Sequence, residues 1–331
     1  MVHERRRGRF PKLSALVAAG VLTVSACGGP DLGKENFART TVPAASGDSS
    51  ASSGPITDPA VAAAALRPVL PCQFVDRASL AALGTPDGDP VPSTVRFDDC
   101  RAKVKDPGGK EISVDVQLGG LVSFASSKGN GQVGGLPQVE NTGSDDSCTL
   151  SALTSRDPDL GLSLAIDYQG GDPCRAGRTL LAAAVQKLHS APQKYAEAQG
   201  SLIDADPCAV LSEDAVGTVV KGAKAHAVSL HSCTWGTGAS VTVLFYPAGP
   251  PLEGDGWLKA DVGTPNQAFR KLDPSGRSDC QVQWQHRPWL DDRVEVAQLR
   301  YTNYDARPDQ DDPCGKAVGL ARQLAPKLPR P

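Results

Sequence analysis

Past Val24 the chain has no apolar run approaching the roughly 20 residues that a membrane helix needs. Past Lys12 it has no cluster of lysine and arginine, and so lacks the positive patch on which nucleic-acid affinity rests. No two cysteines stand at the C-x₂₋₄-C spacing of a structural zinc site. There is no G-x-S-x-G elbow, no H-E-x-x-H pair and no phosphate-cradling glycine loop. Those gaps argue against a multi-span helical membrane protein, a nucleic-acid binder and a zinc module. No metal, no cofactor and no catalytic residue is expected.

What is present begins at the N-terminus. Arg5, Arg6, Arg7, Arg9 and Lys12 form a basic segment, followed by an apolar one, Leu13 to Val24. At about a dozen residues this is too short to span a membrane and suits a signal peptide. It closes on Val24-Ser25-Ala26-Cys27, the pattern of a bacterial lipobox. The expected chemistry is a diacylglyceryl group on the Cys27 thiol and removal of residues 1–26. Two acyl chains anchor stably where one would not. The expected location is therefore outside the bacterial cell membrane, held to its outer face by lipid. The removed segment carries five basic residues against one acid, so its loss moves the formal charge from −3 to −7. Residues 27–64 are rich in Ser, Ala and Pro and cannot bury enough surface to offset ordering entropy. They read as a flexible stalk.

Eight cysteines remain: Cys72, Cys100, Cys148, Cys174, Cys208, Cys233, Cys280 and Cys314. Set four against four, they lie 136, 133, 132 and 140 residues apart, the mark of an internal duplication. The surrounding text agrees. Asp76 and Ser212 sit four residues beyond the first cysteine of each copy as helix N-caps. Alternating apolar runs follow: Ile112, Val114, Val116 and Leu118 in one copy, Val241, Val243 and Phe245 in the other. Asp172-Pro173 and Asp312-Pro313 each open a terminal helix, and Pro326 should end the second early. Each copy reads helix, two strands, a long Gly/Pro-rich connection, two strands, helix. The fold class is α+β, two tandem domains, each an antiparallel sheet with helices on one face. The copies span 65–190 and 202–331, joined by a linker over 191–201.

In an exported protein these cysteines read as disulfides, with three connectivities open in each copy. Pairing first with second and third with fourth is favoured, because each helix start would then be stapled to a nearby strand. A closed loop of about 28 residues stabilises by roughly 3–4 kcal/mol in the chain-entropy account.

The lipobox, the stalk, "DPCAVLSEDAVG", "CTW" and the terminal "DPC" helix together resemble the actinobacterial lipoproteins catalogued as domain of unknown function 3558. The second copy fits best. The first, with "LPCQFVDRASLAALG" and "CRAKV", is more divergent. The resemblance implies a cell-envelope lipoprotein and nothing catalytic.

Candidate site residues are few. His189, His226, His231 and His286 read as solvated or hydrogen-bonded. The acids of Tyr304 to Pro313 lack calcium-loop spacing and read as a capping loop. All four tryptophans fall in the second copy. Trp235 and Trp284 lie in strand text and read as core. Trp257 and Trp289 lie in Gly- and Pro-marked loops, where exposed aromatics suit a ligand or partner. The expected function is a non-enzymatic binding module of the envelope, for a protein or a small ligand. The alternatives are a cell-wall hydrolase and a purely structural lipoprotein. A buried, pKa-perturbed acid in a cleft would favour the hydrolase; an aromatic groove would favour binding. Cys27→Ser should release the protein from membranes or leave an uncleaved precursor, as fractionation and intact mass will read. A processed, membrane-bound Cys27→Ser chain would overturn the lipobox reading.

Overall fold

The computed structural model describes residues 54–123, 129–196, 199–290 and 292–331, with backbone alone at 129 and 130. These residues belong to one compact unit. The expected signal peptide, the expected lipidation site Cys27 and the expected stalk as far as residue 53 lie outside them. The last part of the expected stalk is not stalk. Asp58 caps a helical turn at Pro59–Val61 and bonds His189 Nε2 at 2.7 Å, and Val61 is buried in the first core.

The first copy opens with helical turns α1 (Ala63–Leu66) and α2 (Arg77–Leu80), then short strands β1 (Thr85–Pro86) and β2 (Val91–Pro92). Six longer strands follow: β3 (Asp99–Lys105), β4 (Glu111–Leu121), β5 (Gly129–Val133), β6 (Leu136–Ser144), β7 (Ser147–Arg156) and β8 (Asp159–Tyr168). They hydrogen-bond in the order β1-β3-β4-β8-β7-β6-β5, with β2 on β3, all antiparallel. Helix α3 (Pro173–His189) lies on β7 and β8 and buries Leu180, Leu181, Ala184, Val185 and Leu188.

The second copy repeats the plan. After helix α4 (Glu213–Gly217) come β9 (Ala225–Ser229), β10 (Ser232–Gly236), β11 (Ala239–Ala248), β12 (Leu258–Ala260), β13 (Ala268–Leu272), β14 (Ser278–Pro288) and β15 (Val294–Asn303). The order is β12-β13-β14-β15-β11-β10-β9. A turn, α5 (Pro308–Asp311), leads into α6 (Pro313–Leu324), which packs on β14 and β15. The Gly/Pro-rich connections expected as loops build β5–β6 in one copy and β12–β13 in the other. Pairing to a ready sheet edge supplies what their sequence lacks in strand propensity.

The caps fall as read. Asp76, Asp172, Ser212 and Asp312 each accept from a backbone amide three residues on, at 2.8–3.2 Å. Helix α6 stops at Leu324, two residues before Pro326. The bridges are Cys72–Cys100, Cys148–Cys174, Cys208–Cys233 and Cys280–Cys314, the favoured pairing.

The linker is not loose. Val69 and Lys194 form a β-bridge, and Gln73 accepts from Gln193 N and donates to its carbonyl. Gly200 O accepts from His286, while Ser201 and Leu202 donate to the buried Glu295 carboxylate.

Each core also takes one side chain from the other copy. Phe97, three residues before Cys100, is 1% exposed and sits in the second core. Leu230, three residues before Cys233, is 3% exposed and sits in the first. The two occupy equivalent positions of the duplication, so the junction is built as an internal two-fold would build it. The backbone repeats the relation: Leu118 N donates to Asp98 O and Phe245 N to His231 O, each at 2.9 Å. Room for Leu230 comes from Gly119, where β4 bulges at φ +71°. A Cβ there would stand 2.2 Å from Leu230 Cγ. Phe97→Ala should cost about 3–5 kcal/mol and Leu230→Ala about 2–5 kcal/mol. Denaturant unfolding should show one transition moving for both. Two transitions, only one of which shifts, would show that the copies unfold independently.

Candidate functional site

The strand alternation of the first sheet buries Cys100, Val114, Val116, Leu150, Leu162 and Leu164 under α3 and turns the intervening residues outward. The register sets those outward residues in two rows. One runs Asp99, Gln117, Ser163, Ser151, Val139; the other runs Arg101, Asp115, Ala165, Thr149, Asn141. The middle of each row is small and the ends are longer, so the face is a trough. The segment Val91–Val95 walls one side and Leu121–Ser123 another, enclosing a cavity of about 840 Å³. That volume lies in the range of small-molecule sites.

The second copy is an internal control. At the same register positions Ser163, Ala165, Thr149 and Ser151 are replaced by Gln298, Arg300, Gln281 and Gln283. There the Tyr246 hydroxyl bonds both Gln283 and Gln298 at 3.0 Å. The charged ends differ as well: Asp99, Arg101 and Asp115 stand where the second copy has Ser232, Thr234 and Thr242. Small side chains open the face in one copy, and long ones occupy it in the other.

The electrostatics concentrate at one end. Asp98 is 4% exposed, and one oxygen of its carboxylate has no partner. Arg96 Nε stands 3.3 Å from Asp98 and 2.8 Å from Asp99, one cation for two adjacent carboxylates. Desolvation first, and the Asp98 charge second, push the Asp99 carboxyl up to about 6, against the opposing pull of Arg96 and Gln117. Burial raises Asp98 in the same direction. Arg101 holds Asp115 at 2.6 Å. Behind this end, at the junction, His231 is buried with Nε2 against Ile203 O at 3.0 Å. Burial lowers its pKa to about 4, so it is neutral in the folded protein at pH 7.

Trp289 is half-buried rather than exposed. It meets Phe97 and Tyr195 edge-on at 5.3 and 5.4 Å, and with them lines a cavity of about 240 Å³ between the copies. Trp257 is also half-buried, with Lys271 Nζ 5.7 Å from its ring centre. Each ring thus keeps part of its surface exposed and packs the rest against a neighbour within the fold. Trp235 and Trp284 are core. His286 and His189 are hydrogen-bonded, and His226 is exposed. Of the acidic run, Asp312 caps α6 and Asp311 bonds Ser278 and Lys316. Glu140, Cys148 and Cys174 place ligand-type atoms close together, but both sulfurs are in a disulfide and Arg178 holds the carboxylate at 2.8 Å. Sequence reading missed Asp99, Arg101 and Asp115. The available signal was the mismatch of "DDCRAKV" with "HSCTWGT" when the copies are laid side by side.

The sign of the Asp99 effect follows from its raised pKa. The native protein holds this proton more tightly than the unfolded chain does, so stability falls as pH rises from near 3.8 to about 6. His231 acts oppositely, with stability lost as pH falls from 6.5 towards 4. Asp99→Asn should therefore raise Tm at pH 7.5 and change it less at pH 4. Asp98 remains to hold Arg96. A variant that loses stability equally at both pH values would show that the Arg96 contact outweighs the burial of charge.

No family model matches the chain, and no curated protein matches it. Among solved structures, the di-domain ARO/CYC BexL from the BE-7585A biosynthetic pathway aligns over 83% of this chain and 91% of its own. The identity is 10% and the TM-score 0.18, too low to carry an argument about fold or function. The four disulfides fit an extracytoplasmic protein, and no helix among the described residues is long and apolar enough to cross a membrane.

Proposed function

We propose that this chain is a cell-envelope lipoprotein, anchored through diacylglyceryl-Cys27, whose folded part binds a small ligand in the trough of its first copy. The single observation carrying the binding assignment is the cavity of about 840 Å³, present in one copy and filled at the equivalent face of the other. Two copies of one fold share the demands of packing. A face that opens in only one of them answers to something other than packing. The anchor, the signal peptide and membership of the lipoprotein family rest on the lipobox and cysteine text alone. The site expected at Trp257 and Trp289 gives way, in this reading, to the trough.

One observation favours a second reading, a cell-wall hydrolase. Asp99 is a half-buried acid of raised pKa in a cleft, and Asp115 is a second carboxylate on the same face. The two are diagonal neighbours across β3 and β4, with backbones about 7–8 Å apart and both side chains on the cleft side. Against it, both carboxylates are engaged by arginines, at 2.8 and 2.6 Å. A proton donor needs a carboxyl free to lose and regain its proton at the substrate.

Ser151→Gln with Ser163→Gln installs the residues of the second copy and should fill the trough while leaving the fold intact. Native mass spectrometry of the full chain, purified without denaturation, should then find a small molecule on the parent and none on the double variant. Equal loading of the two proteins would remove the trough as the site. Release of sugar reducing ends from peptidoglycan, abolished by Asp99→Asn, would establish the hydrolase instead.

A further inference from the structure

The trough is electrically lopsided. At its acid end Asp99 and Asp115 line the trough against Arg101, while Arg96 reaches Asp99 from behind and is shared with the inward-turned Asp98. Arg101 and Asp115 answer each other, which leaves Arg96 shared between two carboxylates. One oxygen of Asp98 and one of Asp99 are covered and bonded to nothing. An unpaired carboxylate taken out of water is among the costlier things a fold can keep. The other end is apolar. Val122 and Val139 pack with Leu153 there, and Leu121 at the rim is 51% exposed. No aromatic ring stands among the described residues lining the trough, so it offers no stacking platform for a sugar.

We infer that the trough takes a small organic cation, with an ammonium group between Asp99 and Asp115 and an apolar body directed towards Val122 and Val139. This rests on the trough being a ligand site, and it names the ligand's chemistry. Asp99 pairs across from Gln117 and Asp115 from Arg101, so the two acids are diagonal neighbours on one face of β3 and β4. The backbones of residues so placed are about 7–8 Å apart with the Cβ atoms closer, so carboxylates leaning towards each other come within reach of one ammonium, which donates to each. The cation would cancel the surplus charge that Arg96 leaves unanswered. An anion would add to it, and a neutral ligand would leave it in place. From Asp99 to Val139 the row crosses five strands, about 19 Å at the usual strand spacing. That sets an upper length for the ligand.

The test uses three water-soluble probes of one shape: cyclohexylamine, cyclohexanol and cyclohexanecarboxylate. Each is titrated calorimetrically at pH 7.5 into the full chain in lipid nanodiscs, with the Ser151→Gln, Ser163→Gln chain as the blank for lipid uptake. Cyclohexylamine should bind at least fivefold more tightly than the other two. Asp99→Asn and Asp115→Asn should each weaken it at least fivefold, and thermal unfolding confirms that both variants are folded. If cyclohexanol or cyclohexanecarboxylate binds as well as the amine, or if both Asn variants keep the amine's affinity, the cation assignment is wrong and the trough remains a site. If no probe binds the parent better than the filled chain, the trough is not the site and both readings fall.

Discussion

The insertion of Phe97 into the second core governs the geometry that follows it. Cys100, three residues on, is fixed by its bridge to Cys72 and by its place in the first core. With both ends of the tetrapeptide pinned, strand alternation leaves no choice for the two residues between. Asp98 must turn in towards the junction, where it is 4% exposed, and Asp99 must turn out to the trough. The same step in the second copy pins Leu230 and Cys233, and there His231 takes the buried position and Ser232 the outward one. A carboxylate and a neutral imidazole thus occupy equivalent buried places. The duplication kept the backbone and let the charge diverge.

The junction also explains why the linker reads as a connector but behaves as part of the fold. Tyr195 donates its hydroxyl to Phe97 O at 2.8 Å and stacks its ring edge against Trp289. Phe97 in turn meets Trp289 and His231. Three segments far apart in sequence therefore close over one ring. Composition alone marks residues 191–201 as polar and irregular, because the contacts that hold Gln193, Lys194, Tyr195, Gly200 and Ser201 reach far along the chain. Trp289 likewise takes its packing from residues distant in sequence. Its loop setting was legible, while the ring of a different copy that covers it was not.

What the sequence did disclose was carried by local rules. The Asp-Pro caps, the alternation of β4 and β11 and the stop before Pro326 depend on residues within a turn or two of each other. The cysteine intervals disclosed the duplication, and the stapling of each helix start to a nearby strand favoured the disulfide pairing that the structure has. The strands β5, β6, β12 and β13 were hidden, since Gly- and Pro-rich text pairs only when an edge is already there to receive it. The trough was hidden for a related reason. Serine, alanine and threonine at strand positions say nothing by themselves; they matter because the sheet brings Ser151 beside Ser163 and Thr149 beside Ala165. Comparing the copies residue by residue would have shown Gln283, Gln298 and Arg300 at those places. The premise was sound: residues peculiar to one copy are freer to serve a task. The two copies differ in their largest residues, the tryptophans, and also in the small ones that open the trough.

The remaining question is how the first copy keeps a costly pair of acids and stays folded. Asp99 is the immediate neighbour of Cys100, so the strand bearing the surplus charge is the strand held by the Cys72–Cys100 bridge. In the chain-entropy account a bridge across 28 residues acts by restricting the unfolded chain, at roughly 3–4 kcal/mol. That contribution does not depend on how well the native side chains satisfy one another. It therefore offsets an unfavourable native feature without removing it, which a better-packed core could do only by changing the site itself. The second copy carries the same bridge, Cys208–Cys233, beside Ser232, where no charge needs offsetting. The staple predates the divergence on this view, as both copies share it. It is the condition under which one sheet face was free to give up packing and charge balance for a cavity.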